Sequence, residues 1–203
     1  VLKLENNVSL AFADIEFNGL HFDQEAWLAN ANDTEGVVHK MENDLDELVR
    51  ALELNRFIKK SFQTDMFIPA EEIRKIDIKW SSPTQVLRVF REYGLDIEKV
   101  NAFELSKYKD RKFVDQYLKY KEKQKIVSTY GKSFLKYVMK DGKVRTSFWQ
   151  ILNTGRVSSG SKEDRKPNMQ NIPADNKFRN CFKARPGYSL VSVDYSGQEL
   201  GII

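Results

Sequence analysis

From Trp27 to Leu52 apolar or small residues recur as Trp27, Ala31, Thr34, Val38, Met41, Leu45, Leu48 and Leu52, four and three apart in alternation. That rhythm is the seam of one long helix packing on another. Asp23 stands where an N-cap belongs. Gly36, inside the pattern, lowers helix stability by ~1 kcal/mol relative to Ala and marks a place for a break. A second stripe of Phe113, Tyr117, Tyr120, Val127, Tyr130, Phe134 and Val138 predicts another long helix over 113–138. Between the two, Ser82-Pro83-Thr84-Gln85 reads as a capping-box start, and Gly94 as a left-handed stop after the apolar face of Val86, Leu87, Phe90 and Tyr93. After Asp141-Gly142 the period changes. Val144, Thr146 and Phe148 suggest a strand. Residues 153–180 are rich in Asn, Ser, Gly, Lys and Pro without a sustained period. Ser189–Asp194 predicts a final strand with Val191 and Val193 on one face. The expected fold class is α+β, a long antiparallel helical module followed by the beginning of a β-containing one, with the boundary at 140–145.

Composition narrows the class. The chain has 203 residues, 41% hydrophobic and 31% charged, enough for one ordinary domain or two small ones. One cysteine, Cys181, rules out an internal disulfide framework and a multi-cysteine zinc site, and two histidines, His21 and His39, leave little for histidine-rich metal or triad chemistry. No run approaches the length of a membrane span, and no basic-then-apolar signal opens the chain. The first residue is Val, so a trimmed N-terminus is expected, and the expected setting is a soluble chain of the cytoplasm, without a membrane partner. Charge is divided unevenly. Residues 1–101 hold 12 Lys/Arg against 19 Asp/Glu, residues 102–145 hold 13 against 5, and residues 146–203 hold 8 against 5. The basic block interleaves lysines with Tyr108, Tyr117, Tyr120, Tyr130 and Tyr137. Such a stripe suits a phosphate backbone, and it equally suits a solvated helix face.

Candidate chemistry gathers late in the chain. Asp194 ends the predicted final strand and is followed by Tyr195-Ser196-Gly197-Gln198-Glu199-Leu200. A carboxylate at a strand end is placed to hold Mg²⁺, a hard cation that takes oxygen ligands. Ser196 and Glu199 also form a Ser-x-x-Glu capping box, for which Asp194 would be a mere turn residue. Upstream, Thr154-Gly155-Arg156-Val157-Ser158-Ser159 sets one Arg and three hydroxyls beside a glycine. Pro167-Asn168-Met169-Gln170-Asn171-Ile172-Pro173 then packs three carboxamides between prolines. Arg and carboxamides suit phosphates and groove edges. An ordinary polar loop held by Asx turns has the same composition.

Taken in order, Thr-Gly-Arg-x-Ser-Ser, Pro-Asn-x-Gln-Asn-Ile-Pro, Arg179-x-x-Phe182, Pro186-Gly187-Tyr188 and Asp-Tyr-Ser-x-x-Glu-Leu resemble family A DNA polymerases. The resemblance covers 154–200 closely. It reaches more loosely through the Lys121–Tyr130 helix and Ser82-Pro83 to Asn18-Gly19-Leu20. It implies a palm-adjacent entry segment at 1–22, a helical thumb at 23–142 and a first palm segment at 143–203. Asp194 would be a catalytic, metal-binding carboxylate, one of two that hold a pair of Mg²⁺ ions, with the Tyr195 backbone carbonyl as a further ligand. Glu199 would line the sugar pocket and exclude a 2′-hydroxyl. Arg156, Asn168, Gln170 and Asn171, with Thr154 and Ser158, would contact primer–template DNA near the growing end. Lys121, Lys125 and Ser128 would approach the duplex backbone from the thumb.

The chain departs from the family pattern at several points. Seven residues separate Ser159 from Pro167 where the family has a much shorter link. Ala174 and Gly201 stand where the family carries Arg. The fingers pattern Arg-x3-Lys-x7-Tyr-Gly and the His-Asp-Glu turn do not occur in the chain. The expectation is therefore part of a DNA-directed DNA polymerase, inactive alone. It would need a C-terminal half to supply the second carboxylate and to bind deoxynucleoside triphosphates. Its rivals are a non-catalytic duplex-binding module and a helical scaffold with solvated lysines.

Overall fold

Helix α1 (Leu2–Asn18) is followed by a short strand, β1 (Leu20–Phe22), and then by α2 (Gln24–Ala51), the longest element of the computed structural model. The structure describes residues 2–65, 68–160 and 166–193, with side chains described outside positions 2, 4, 5 and 60–75. Asp23 caps α2 as its residue type predicts, its Oδ1 accepting the Ala26 N–H at 3.0 Å. Gly36 does not break the helix. It is exposed with open space around it, and burial of Val38, Leu45 and Val49 on the seam outweighs its propensity cost. The seam drifts towards its end, where Val49 is fully buried and Leu48 only half-buried, and Leu52, expected inside, lies just past the end of the helix and is exposed. A straight helix of 3.6 residues per turn drifts in this way away from a 3.5 repeat.

Next comes an antiparallel hairpin, β2 (Ile58–Asp65) with β3 (Ile68–Ile76), registered from Ile58 opposite Ile76. Helix α3 (Pro83–Glu92) follows with Ser82 in the N-cap position. The predicted capping box does not form. Ser82 makes no side-chain cap bond, and Gln85 Oε1 reaches past it to accept the Lys79 N–H at 2.6 Å. The helix stops as expected at Gly94, where the Gly94 and Leu95 N–H groups donate to the carbonyls of Arg91 and Phe90. After α4 (Ala102–Ser106), helix α5 (Lys112–Tyr130) is shorter than the predicted 113–138. At Gly131 the backbone leaves the helical region, with ψ −151°, and lies so close to the Val127 carbonyl that a Cβ there would collide. A 3-10 turn, Lys132–Tyr137, carries the chain on.

The remaining elements are short: β4 (Lys143–Val144), β5 (Phe148–Trp149), β6 (Ser158–Ser159), α6 (Asn176–Arg179) and β7 (Phe182–Lys183). The one strand expected over Val144–Phe148 is thus two strands in different sheets. The strand expected at Ser189–Asp194 is not formed among its described residues. Val191 and Val193 are each 81% exposed and unpaired there, because an alternating pattern makes a strand only where another strand lies alongside to take its hydrogen bonds.

The chain forms two compact units, residues 1–30 with 132–203, and residues 31–131. Residues 23–30 and 132–142, expected with the helical module, belong to the first unit for a visible reason. Trp27 is fully buried, stacks on Phe134 at 4.5 Å and meets Phe178 edge-on at 4.8 Å. The three-stranded antiparallel sheet β4-β1-β7 lies in this unit. In the second unit Val38, Leu45 and Val49 of α2 share a core with Trp80, Val86, Phe90, Phe113 and Tyr117. Glu42 meets Tyr120, and Asp46, a turn later, accepts from Trp80, which packs on Phe113 and Tyr117. That order of contacts is the one antiparallel helices give, as the two stripes predict.

Candidate functional site

In the first unit the two polar motifs are brought together. Strands β5 and β6 pair with Phe148 opposite Ser159 and Trp149 opposite Ser158. The hairpin is anchored at Phe148, whose N–H donates to Glu16 Oε1 at 2.6 Å and whose ring lies 5.0 Å from that of Phe12. Thr154, Gly155 and Arg156 sit exposed at its tip.

Ser159, buried to 3% exposure, is the hub. Its Oγ donates to Asn168 Oδ1 at 3.1 Å and accepts the Gln170 N–H at 3.3 Å, while its own N–H donates to Gln170 Oε1 at 2.8 Å. Gln170 Nε2 completes the arrangement by donating to the Val157 carbonyl at 2.9 Å. The Gln170 carboxamide thus donates and accepts along the edge of β6 much as a neighbouring strand would. Asn168 Oδ1 also accepts the Gln170 N–H at 3.0 Å, starting a short 3-10 turn.

Three further bonds seal the junction. Thr146 Oγ1 donates to the Pro167 carbonyl at 2.6 Å, Lys166 Nζ to Ser147 Oγ at 2.7 Å, and the Gly160 N–H to the Ser147 carbonyl at 2.9 Å. Gly160 has φ +98°, and a Cβ there would lie 3.0 Å from the Asn168 backbone, so the approach of the two segments requires glycine. Asn168 and Gln170, singled out as ligand contacts, are thus hydrogen-bonded within the protein. By exposure, Thr154, Arg156 and Asn171 lie at the surface and Ser158 is half-buried. Ser159, quoted within the motif, and Thr146 were not singled out by sequence reasoning as the residues that brace the site. The inward phase of Val144, Thr146 and Phe148 carried a signal for the second.

In the second unit Lys121, Lys125 and Ser128 fall on one stripe of α5. With Asn101, Leu118, Glu122 and Gln124 they line a groove of about 500 Å³. The Ser128 hydroxyl donates to its own helix, to the Lys125 carbonyl at 3.1 Å. Lys119 is paired with Asp115 at 2.6 Å, whereas Lys121 and Lys125 have no acidic partner among the described residues. The opposite face of α5 is the core. Burial pushes the Tyr117 and Tyr120 hydroxyls well above the usual phenol range, with Glu42 beside Tyr120 adding to the effect.

Asp194, Tyr195 and Glu199 lie outside the described residues. Among the described residues, no three His, Cys, Asp or Glu side chains gather as a metal site, and no helix is long and apolar enough to cross a membrane.

Comparison with known proteins gives a consistent answer. A model of DNA polymerase family A matches residues 55–203. DNA polymerase I of Treponema pallidum is 39% identical over 44% of this chain and 9% of its own length. That of Rhizobium leguminosarum is 35% identical over 62% of the chain and 11% of its length. DNA polymerase I of Borreliella burgdorferi is 26% identical over 99% of the chain and 21% of its length. The chain therefore spans between 9% and 21% of these relatives. Its fold is similar to the POL domain of Pol1 from M. smegmatis, solved in complex with DNA primer-template and dNTP. The TM-score is 0.68 at 21% identity, over 91% of this chain and 30% of that one.

Proposed function

Because this chain belongs to DNA polymerase family A, we propose that it supplies the helical thumb and the first palm segment of a template-directed DNA polymerase. The observation that carries this reading is the junction of the two motifs at 154–159 and 167–172. Ser159, Asn168 and Gln170 lock them into one rigid platform, which holds Thr154, Arg156 and Asn171 exposed towards a ligand. An Arg presented from a braced hairpin tip suits primer–template phosphates or minor-groove edges. On this reading Asn168 and Gln170 act chiefly by positioning that surface. The stripe of Lys121, Lys125 and Ser128 takes the duplex backbone, through phosphate contacts that position without reading sequence.

The reaction is attack of the primer 3′-hydroxyl on the α-phosphate of a deoxynucleoside triphosphate, with release of pyrophosphate. Asp194 and the Tyr195 carbonyl are oxygen donors of the kind Mg²⁺ takes, and a cation held there would offset charge on the reacting phosphate. Glu199 closes the sugar pocket against a 2′-hydroxyl. The nucleotide-binding fingers and the second carboxylate come from a further polymerase segment, so residues 1–203 alone are expected to bind primer–template without extending it.

The test joins this chain to a segment bearing the fingers and His-Asp-Glu patterns, then measures primer extension and duplex binding. Asp194→Ala is expected to abolish extension and spare binding. Lys121→Ala with Lys125→Ala is expected to weaken duplex binding and flatten its log–log salt slope by roughly 1.8, or 0.9 per phosphate contact. Extension untouched by Asp194→Ala would leave a duplex-binding module without chemistry. An unchanged salt slope would remove α5 from the DNA interface.

A further inference from the structure

The sheet β4-β1-β7 has two unlike faces. On one, Leu20 opposite Val144 and Phe22 opposite Phe182 point to the core around Trp27 and Phe134. On the other, His21 lies directly opposite Lys143 on one side and Lys183 on the other. The two lysines flank the imidazole across two strand spacings, roughly 10 Å of backbone separation. That is about one Debye length at physiological salt, and like charges facing each other on a sheet are destabilising.

The row opens into a cleft of about 290 Å³ whose lining also includes Asn18, Arg185 and Tyr188. No Asp or Glu lines it among the described residues. The two acids nearest in sequence are committed elsewhere. Asp23 caps α2 through the Ala26 N–H, and Asp141 holds Arg145 with contacts of 2.7 and 3.1 Å. Lys143 Nζ is steadied by the Asn18 carbonyl at 3.1 Å, and the Arg185 guanidinium lies 3.6 Å above the Tyr188 ring. An Arg held over an aromatic face keeps N–H groups available for a planar or tetrahedral oxyanion. The arrangement is thus a concave cationic site with one guanidinium held over a ring and no acid among its described lining residues, Asp141 standing outside it within electrostatic reach of Lys143.

We propose that this cleft is a phosphate site, formed by His21, Lys143, Lys183 and Arg185, that takes the backbone of a nucleic-acid strand. It uses none of the residues assigned to primer–template contact or to the metal, so the two assignments stand or fall separately. A phosphodiester of a strand and a free phosphate or pyrophosphate share the chemistry that the cleft recognises.

The two histidines of the chain make the test direct. Proton NMR of the full chain follows their ring signals, assigned with His21→Asn, while a short single-stranded oligothymidylate, inorganic phosphate or pyrophosphate is added. With the oligonucleotide, the His21 signal is expected to move saturably while that of His39 stays in place. Lys183→Glu with Arg185→Glu, at exposed positions, is expected to abolish the shift with the melting temperature unchanged. The same pair is expected to flatten the single-strand salt slope by roughly 1.4, or 0.7 per phosphate. Arg185→Lys is expected to restore the charge but only part of the affinity. Saturation by phosphate or pyrophosphate alone would make the ligand a small free anion and overturn the strand assignment. A His21 signal unmoved by all three probes would overturn the site.

Discussion

Tyr117 and Tyr120 stand about one turn apart on α5 with both rings fully buried, yet their hydroxyls meet opposite fates. Tyr120 donates to Glu42 Oε1 at 2.9 Å. The Tyr117 hydroxyl is buried without a hydrogen-bond partner among the described residues, its ring held between Phe90 at 5.2 Å and Trp80 at 6.3 Å. Replacing each by Phe keeps the ring and deletes one oxygen, so the two variants isolate the polar atom. A buried polar group left unpaired costs ~1–3 kcal/mol, so Tyr117→Phe is expected to stabilise by ~1 kcal/mol. Tyr120→Phe removes a donor from a carboxylate. Such a bond contributes ~1.5–3 kcal/mol at full burial, but the Glu42 side chain is 32% exposed, and water repairs part of the loss. A net destabilisation of ~1 kcal/mol is expected. For a chain of this length, either change moves the melting temperature by ~2–4 °C, in opposite directions. Urea titrations followed by circular dichroism measure both, with equal m-values confirming a common unfolding reaction. If Tyr117→Phe destabilised as much as Tyr120→Phe, the Tyr117 hydroxyl would have to be bonded and the reasoning would fail.

Two further outcomes follow from the first unit. The Arg145 guanidinium, bonded to Asp141, holds that carboxyl below its ordinary value of 3.8, with Lys143 assisting. A lowered folded-state value contributes stability above pH 3.8 that is lost as pH falls through it. The melting-temperature gap between wild type and Asp141→Asn is therefore expected to be constant from neutral pH to mild acid and to close below that point. A gap independent of pH would sink the argument. Gly160→Ala places a methyl against the Asn168 backbone in a left-handed conformation and is expected to cost more than ~1 kcal/mol. Proteolysis of the 154–170 region is expected to accelerate in parallel, and an unaltered digestion pattern would contradict the close approach.

Periodicity made the helical part legible because a buried stripe leaves a record at every turn. Asp23, the Trp27–Leu45 seam and the Gly94 stop were all readable, whereas the register of the last turn of α2 was not. The end of α5 was misread because Phe134 is buried as the stripe requires, but by a 3-10 turn after Gly131. Burial alone does not distinguish the two. Strands of two residues carry no period at all, so β4 and β5 were legible only as one merged strand and β6 and β7 not at all, and the alternation at Ser189–Val193 reads as a strand that the described residues do not form. At the candidate site, motif order identified the family. It did not reveal that Asn168 and Gln170 brace the platform through Ser159, because a carboxamide that holds a loop and one that holds a ligand look alike in sequence. The cationic row was hidden for a different reason. His21, Lys143 and Lys183 are far apart in the chain, and only strand register aligns them.

That separation has an entropic consequence. The strands β1 and β4 belong to one sheet but are joined through the whole of residues 31–131. Closing a flexible loop of about 100 residues costs roughly 4 kcal/mol beyond a constant. Folding of the inserted stretch meets part of that cost in advance, because an ordered connection has fewer conformations to lose than a slack one. A substitution that loosens the 31–131 core therefore weakens the β4-β1-β7 sheet as well, by lengthening the tether between its strands while leaving every contact within the sheet chemically intact.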